Sequence, residues 1–292
     1  MSEEKLMRIA VPNKGALSAA AAQMLTEAGY AQRSDSKELV LVDEENGVEF
    51  YYLRPRDIAV YVGEGTLELG ITGRDMLIDS GAAADEILAL GFGVSRFRFA
   101  APKGSGYRLA DLEGKRIATS YPGLLGRYLS EHGISARLVH LDGAVESSIS
   151  LGVADAIADV VETGTTLRKV GLELFGEPIL RSEGILIRRS SGGIDPVILD
   201  PVILDHVTRR LSSVLVARDH VLMDYDCPSR VLEEATRLTP GYAAPTITEL
   251  ARPGWVAVRA MVRRDDAQRL MDELWDLGAR AILVTELGAC RL

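Results

Sequence analysis

Residues 94–106 read VSRFRFAAPKGSG, an extended run that ends in a proline and a glycine-rich turn. Phe97 and Phe99 alternate with two arginines, which favours a strand, and Pro102 with the following glycines ends it. Before this stretch short β-branched runs alternate with helical patterns, and after it a second series of the same kind begins. The stretch therefore predicts a crossing from one α/β lobe into a second lobe.

The chain before the crossing predicts an α/β layer fold with parallel strands. Strands are predicted over residues 6–11, 48–53 and 69–72. A helix is predicted from Ala16 to Ala28, because its apolar residues keep helical spacing and Gly29 follows them. Alternation of strand and helix is typical of a sheet of parallel strands covered by helices.

The chain after the crossing predicts a second lobe with strands over 116–119, 137–141 and 156–161, and a return strand near 184–188. Two lobes joined by two crossings enclose a cleft, and clefts between lobes are where small ligands bind. We therefore predict lobe I over 1–95 plus 184–215 and lobe II over 96–183.

The last third predicts a separate unit over 216–292. Before this unit, residues 195–204 contain two consecutive copies of Asp-Pro-Val-Ile-Leu. In the second copy, Asp200 and Pro201 predict the start of a helix that runs towards Leu215. Strands are then predicted over 220–226, 246–250, 255–262 and 280–285, with helices after Pro228 and after a cap at Asp265. The resulting βαββαβ order is the ferredoxin-like pattern.

Composition excludes several classes of protein. The 292 residues are 47% hydrophobic and 26% charged, as in ordinary globular proteins, and a net charge of −9 disfavours nucleic acid and anionic lipid as partners. The two cysteines, Cys227 and Cys290, predict reduced, buried thiols rather than a disulfide framework. The acidic N-terminus and the lack of a long apolar run predict a cytoplasmic protein without a membrane segment.

The stretch that carries chemistry is ADAIADVVETGTTL, residues 154–167. A buried strand ends in an acid, and a loop with Gly164 and three threonines leads into a helix. Backbone N–H groups at such a turn can hold a phosphate, and the acid can accept hydrogen bonds from sugar hydroxyls. The pattern suits a ribose 5-phosphate, although a strand-turn-helix with a threonine cap and no ligand explains it equally well.

This segment resembles the phosphoribosyl-diphosphate (PRPP) loop of the ATP phosphoribosyltransferase family. Similar blocks occur in order at residues 8–15 (RIAVPNKG), 53–58 (LRPRDI), 70–75 (GITGRD) and 141–146 (LDGAVE). The ending, from MDYDCP at 223–228 to 281–283, resembles the regulatory domain of the long form. The resemblance implies a bilobal, periplasmic-binding-protein-like catalytic part with a ferredoxin-like C-terminal domain. The Asp-Pro-Val-Ile-Leu repeat departs from the family pattern.

The resemblance also implies a reaction and its partners. Adenine N1 of ATP attacks the anomeric carbon of PRPP, giving N1-(5-phosphoribosyl)-ATP and pyrophosphate in the first step of histidine biosynthesis. Mg²⁺ is the implied cofactor, with protein ligands that the pattern does not identify. Histidine is the implied feedback inhibitor and AMP a further ligand, in a homo-oligomer that occurs as dimer and hexamer.

The site residues that the resemblance implies fall into four groups. The catalytic cations are Lys14, Arg54 and Arg56. The PRPP-binding residues are Glu146, Asp159, Val160, Val161, Glu162, Thr163, Gly164, Thr165 and Thr166. The nucleotide-binding residues are Asp75, Met76 and Tyr121, and the allosteric histidine site is formed by Asp226, Thr246 and Ala281.

Each role has a plainer alternative. Lys14 can be a solvated turn lysine, Arg54 and Arg56 a surface pair, and Asp75 a helix cap. Glu146 can start a helix, and Tyr121 can pack in a core. For the whole chain the alternatives are a non-catalytic solute-binding protein, or a short-form catalytic subunit that depends on a separate regulatory chain; the βαββαβ ending argues against the latter.

Overall fold

The structure is a computed structural model that describes residues 6–35, 37–161, 164–190 and 200–292. The chain forms two compact units. The first spans Met1–Thr26 and Tyr30–Leu204, and the second spans Glu27–Gly29 and Asp205–Leu292. The first copy of the Asp-Pro-Val-Ile-Leu repeat lies outside the described residues.

The first unit contains eleven described strands and six described helices. In chain order they are β1 (Met7–Pro12), α1 (Ala16–Glu27), β2 (Val40–Asp43), β3 (Val48–Leu53), α2 (Pro55–Gly63), β4 (Leu69–Gly73), α3 (Arg74–Ser80), β5 (Ala84–Ala89), β6 (Ser95–Pro102), β7 (Arg116–Thr119), α4 (Pro122–Glu131), β8 (Arg137–His140), α5 (Ser147–Ser150), β9 (Ala156–Val161), α6 (Thr165–Lys169), β10 (Leu172–Ser182) and β11 (Gly184–Arg189).

Lobe I is built on a six-stranded sheet with the order β2-β3-β1-β4-β11-β5. β1 is parallel to β3 and to β4, as predicted, whereas β2, β11 and β5 pair antiparallel with their neighbours. α2 packs tightly on β4, because a Cβ at Gly70 would lie 2.5 Å from Cγ2 of Ile58. The predicted return strand is present as β11, in the sheet of lobe I.

Lobe II is built on a five-stranded sheet with the order β10-β6-β9-β7-β8. β7 is parallel to β8 and β9, but β6 runs antiparallel to both β9 and β10. The two crossings lie side by side, since Ser95 at the start of β6 pairs with Ser182 at the end of β10. The predicted parallel strands are therefore present in both sheets, and one of the strands at the crossings runs against its neighbours in each: β6 in lobe II and β11 in lobe I.

The second unit contains α7 (Pro201–Asp219) from Asp205 onwards, β12 (His220–Pro228), α8 (Leu232–Leu238), β13 (Thr246–Glu249), β14 (Trp255–Arg263), α9 (Ala267–Asp276) and β15 (Arg280–Glu286). The predicted helix start is confirmed, because Oδ1 of Asp200 accepts hydrogen bonds from the backbone N of Val202 and Ile203 at 2.9 and 3.3 Å. The boundary predicted after residue 215 lies inside α7.

The βαββαβ order is confirmed, with the sheet order β13-β14-β12-β15 and a core of alternate residues such as Met223 and Tyr225. Two predicted helix starts are wrong in detail. Pro228 is the last residue of β12 and pairs with Trp255, and Asp265 lies in a 3₁₀ turn before α9.

Among the described residues, no helix is long and apolar enough to span a membrane. Both cysteines are free thiols: Cys227 is buried in the second unit, whereas Cys290 is only partly buried.

Candidate active site

Asp159 lies on strand β9 of the first unit, and its carboxylate is mostly buried. Burial raises its pKa above the ordinary value, and a hydrogen bond from the Val160 backbone N at 2.8 Å opposes that rise. The charges of Glu146 and Asp75 raise the pKa further, while the charge of Arg56 lowers it. Three charged groups therefore act on Asp159, and a desolvated carboxylate among charged partners is typical of a functional site.

Tyr121 joins side chains from both lobes. It follows β7 in lobe II and lies at the start of α4, with 7% of its surface exposed. The guanidinium carbon of Arg56, in lobe I, lies 4.4 Å from the centre of the Tyr121 ring. Burial, together with the charge and hydrogen bond of Asp75, raises the pKa of Tyr121, so its hydroxyl stays protonated and donates to that carboxylate.

Asp75 is held by the second crossing between the lobes. It lies in the first turn of α3, is 5% exposed, and accepts a 2.8 Å hydrogen bond at Oδ1 from the Ser182 hydroxyl. The backbone N of Asp75 donates to the same hydroxyl oxygen at 3.0 Å. Asp75 is therefore fixed between Ser182 and Tyr121. Met76, the next residue, is half-buried, and its sulfur lies 3.8 Å from the hydroxyl of Thr72.

The predicted phosphate loop follows directly from Asp159. Val160 and Val161 end β9, and Gly164 adopts φ +69° before α6. Thr165 and Thr166 are exposed on the first turn of that five-residue helix. Glu162 and Thr163 lie outside the described residues. The described part of the loop thus has the left-handed glycine that lets a backbone turn sharply towards a ligand.

Lys14 and Arg54 lie just before α1 and α2, the helices that follow β1 and β3. Lys14 lines a cavity of about 370 Å³ beside the start of α1, together with Gln32, Arg33 and Tyr52. Arg54 is exposed and immediately precedes α2, where Pro55 occupies the first helical position.

Contacts and charge effects thus link Arg56, Asp75, Tyr121 and Asp159, and the charge of Glu146 also acts on Asp159. Within the described residues, no side-chain hydrogen bond or ion pair joins Lys14 or Arg54 to them, and their roles stay predictions. Two further residues of this region were not expected from the sequence, Ser182 and Asp79. Both act through tertiary hydrogen bonds, for which the chain carries no local pattern.

Few side chains in this region could serve as metal ligands. Among the residues that the structure describes, no group of three or more His, Cys, Asp or Glu side chains could hold a metal ion. The charge of Glu146 nevertheless raises the pKa of Asp159, so the two carboxylates act on each other electrostatically. One or two carboxylates fit Mg²⁺, which keeps several waters and takes its other ligands from phosphates.

The predicted allosteric residues lie on the sheet of the second unit. Asp226 in β12 pairs with Ala257 of β14 and with Arg280 of β15. Ala281 adopts φ +51° at the irregularity that follows in β15, and Thr246 starts β13 with its side chain exposed. Because side chains alternate along strands, Asp226 shares a sheet face with Asp224. Asp224 pairs with Arg259 of β14, and Arg259 pairs on its other side with Thr246 of β13.

Comparison with known proteins decides the family. The family model described as ATP phosphoribosyltransferase matches residues 54–212, and the one described as HisG, C-terminal domain, matches residues 217–289. Relatives named ATP phosphoribosyltransferase from Pseudarthrobacter chlorophenolicus and Streptomyces avermitilis are 59% and 60% identical over 287 residues, which is 98% of this chain and all of each relative. The chain belongs to the ATP phosphoribosyltransferase family.

Its two matches, one catalytic and one C-terminal, make this family member a long-form phosphoribosyltransferase. A solved structure with the same fold is the ATP phosphoribosyl transferase (HisG:HisZ) complex from Thermotoga maritima. Its matching chain has a TM-score of 0.60 and 26% sequence identity, and the match covers 71% of this chain and 96% of that chain.

Proposed function

We propose that this phosphoribosyltransferase condenses ATP with PRPP, as a cytoplasmic enzyme that opens histidine biosynthesis. The adenine N1 lone pair forms a bond to the anomeric carbon of PRPP. The bond from that carbon to the diphosphate oxygen breaks, and pyrophosphate leaves with the electron pair. The products are N1-(5-phosphoribosyl)-ATP and pyrophosphate.

The observation that carries the proposal is that opposite charges meet around Asp159 and Tyr121, with the Arg56 guanidinium over the Tyr121 ring and the charges of Glu146, Asp75 and Arg56 acting on Asp159. N1 is already a nucleophile, so the protein needs to supply no nucleophile of its own. The sugar gains positive charge as the leaving diphosphate gains negative charge. Asp75, Glu146 and Asp159 stabilise the positive charge on the sugar. Arg56 stabilises the negative charge on the diphosphate. Catalysis of this kind depends on positioning and on charges fixed before the reaction.

The remaining roles follow from position in the chain. Asp159 accepts hydrogen bonds from the ribose hydroxyls, since it lies directly before the loop that holds the 5-phosphate. That loop consists of Val160, Val161, Glu162, Thr163, Gly164, Thr165 and Thr166. Asp75, Met76 and Tyr121 form the nucleotide side of the site, which also accepts AMP. Arg54 and Lys14 contribute positive charge towards the substrate phosphates.

Mg²⁺ is the cofactor that we propose, with Glu146 and Asp159 as the protein groups that fit it. When bound, the ion neutralises diphosphate oxygens. The sparse set of carboxylates is consistent with an ion that enters with PRPP and is bound mainly by phosphate and water.

The second unit is proposed to bind histidine as feedback inhibitor through Asp226, Thr246 and Ala281. An acid suits the ammonium or the imidazole of the ligand, and the Thr246 hydroxyl can donate to its carboxylate. The Thermotoga maritima structure is a complex of two kinds of chain, whereas this chain has its own C-terminal domain. We therefore propose regulation within one chain type, in a homo-oligomer that forms dimers and hexamers.

Release of pyrophosphate tests the proposed reaction. The full chain is incubated with Mg²⁺, ATP and PRPP, and release is expected only when both substrates are present. Reactions without ATP or without PRPP are the controls, and a titration with histidine is expected to lower the rate. Binding of a nucleotide or sugar phosphate without any release would contradict the reaction and favour a solute-binding protein.

A further inference from the structure

Asp79, which the proposed reaction does not use, lies between two helices of different lobes. It is in the last turn of α3, with 13% of its side chain exposed. Its Oδ1 accepts hydrogen bonds from the backbone N of Gly123 and Leu124, at 2.8 and 3.0 Å. Its Oδ2 lies 3.3 Å from Nη1 of Arg56. One carboxylate thus contacts both the first turn of α4 and a proposed catalytic cation.

The first contact replaces a missing helix cap. Tyr121 occupies the cap position of α4 but makes no side-chain hydrogen bond to the helix. Asp79 supplies that acceptor from α3, and a carboxylate at a helix N-terminus is favourable for its charge as well. A Cβ at Gly123 would lie 2.2 Å from the backbone O of Asp79, so α3 and α4 touch through their backbones. The carboxylate of Asp79 is therefore held in place by a tight helix contact.

The second contact fixes Arg56. Its guanidinium lies over the Tyr121 ring, and Nη1 meets Asp79, so both its plane and its direction are constrained. A guanidinium has five N–H donors, and the described contact with Asp79 uses one of them. The Arg56 side chain keeps 41% of its surface exposed, which leaves donors for an anion.

We propose that Asp79 is a positioning residue that orients Arg56 for the leaving pyrophosphate. The inference rests on the proposed function, in which Arg56 stabilises that anion. Asp79 touches no substrate in this account. It holds the guanidinium in one orientation before the anion forms, so that no reorganisation is needed when charge develops.

The simplest competing role for Asp79 is that of a structural cap on α4. Asp79→Asn separates the two roles, because an amide oxygen still accepts from Gly123 and Leu124 while the negative charge facing Arg56 is lost. Asp79→Ala removes both. The matched control is Asp57→Asn, which removes an exposed acid next to Arg56 on α2 that makes no side-chain contact recorded among the described residues.

Calorimetric titration with inorganic pyrophosphate and Mg²⁺ measures the role of Asp79 without needing turnover. We expect Asp79→Asn to weaken pyrophosphate binding by roughly three- to tenfold, the loss expected for a misplaced charged hydrogen bond. Arg56→Ala should weaken it at least as much, and the double variant should be no weaker than Arg56→Ala alone. Asp57→Asn should bind like the parent protein.

Kinetics and melting give the second measurement. In Asp79→Asn we expect kcat to fall while the KM for ATP stays within about twofold of the parent value, since only the leaving group is affected. Its Tm should exceed that of Asp79→Ala, which lacks the cap.

Two results would overturn the positioning role. One is an additive loss of pyrophosphate affinity in the double variant, and the other is parental affinity and kcat in Asp79→Asn. Either would leave Asp79 as a cap only. Failure of the parent protein to release pyrophosphate from ATP and PRPP is a separate result and contradicts the proposed function itself.

Discussion

At the scale of single residues, strand β9 places two aspartates in opposite environments. Asp155, just before the strand, accepts 2.7 and 2.9 Å hydrogen bonds from the side chain and backbone of Arg116, which lower its pKa to about 2. Asp159 makes no ion pair within the described part of the chain, and its burial raises its pKa. Environment rather than residue type therefore separates the structural acid from the candidate functional one.

We predict that Asp159→Asn lowers kcat/KM for PRPP by roughly one to two powers of ten, because a charged hydrogen bond to the ribose is lost. The thermal stability of the Asp159→Asn variant should not fall with its activity. A raised folded-state pKa means that the ionised carboxylate costs stability at neutral pH, so the neutral amide should keep or raise the Tm at pH 7. This gain should vanish as the pH falls below about 4, where the parent carboxyl is protonated in both states.

Asp155→Asn is the matched control. A lowered folded-state pKa contributes stability above the unfolded pKa, and this contribution is lost as the pH falls from about 4 to about 2. The variant should therefore melt below the parent at pH 7, converge with it in acid, and retain parental activity. Unchanged kinetics in Asp159→Asn would instead make that residue structural.

At the scale of elements, the sequence predicts a strand best when the strand's own residues, rather than its partners in the sheet, define where it begins and ends. The predicted bounds of β3, β7 and β9 agree with the structure, because each is an apolar run between turn residues. β2 and β5 escaped prediction, since both are short, largely exposed strands defined by their partners in the sheet. Pro228 was misjudged for the same reason: its ladder partner, Trp255, extends β12 through a residue that usually starts helices.

Some residues of the candidate site could likewise be predicted from local sequence, and others could not. The strand, the turn at Gly164 and the position of Asp159 were predictable from residue types in one short stretch, and phosphate binding by that loop stays a prediction. Ser182 and Asp79 were not, because each reaches its partner only after the two lobes have folded together.

The contact between α3 and α4 yields a prediction about helix glycines. Gly123→Ala should lower the Tm and the activity together, because its Cβ would lie 2.2 Å from the Asp79 backbone O and must push the helices apart. Gly126→Ala on the same helix meets only Leu138 Cδ1, at 3.7 Å, and should stabilise the protein by about 0.5–1 kcal/mol through helix propensity. Thermal melting of both variants checks this, and equal shifts would contradict it.

The loop before α6 yields a second prediction. Gly164→Ala should raise the KM for PRPP several-fold more than the KM for ATP, because only PRPP brings a 5-phosphate to this loop. The control is Gly171→Ala, just after α6. Both glycines have φ near +70°, and neither Cβ would make an abnormally short contact, so the strain of about 1 kcal/mol is matched. Equal changes in both KM values, or the same effect at Gly171, would argue against a phosphate site.

At the scale of the whole molecule, every proposed catalytic residue belongs to the first unit and every proposed histidine contact to the second. Under this proposal, the effect of bound histidine on catalysis passes from the second unit to the first, by favouring one arrangement of domains and subunits over another. We predict that Asp226→Ala weakens inhibition at least tenfold, on the order of 1–3 kcal/mol of lost contact, while activity without histidine stays within a few-fold of the parent.

Inhibition curves of parent and Asp226→Ala, measured against histidine concentration, decide between the outcomes. An unchanged curve would place the ligand elsewhere. Lost activity without histidine would show that the second unit is needed to build the active assembly, so that regulation and chemistry are not separable.

The position of β11 has a consequence for biosynthesis on the ribosome. β11 lies between β4 and β5 in the sheet of lobe I, although all of lobe II is synthesised before it. Lobe II is a continuous segment and can fold as soon as β10 has emerged. Until β11 arrives, β4 has an unpaired edge and β5 has no partner. Nascent chains stopped before residue 184 should therefore carry a folded lobe II and an aggregation-prone lobe I, which is a vulnerable interval for chaperones to cover.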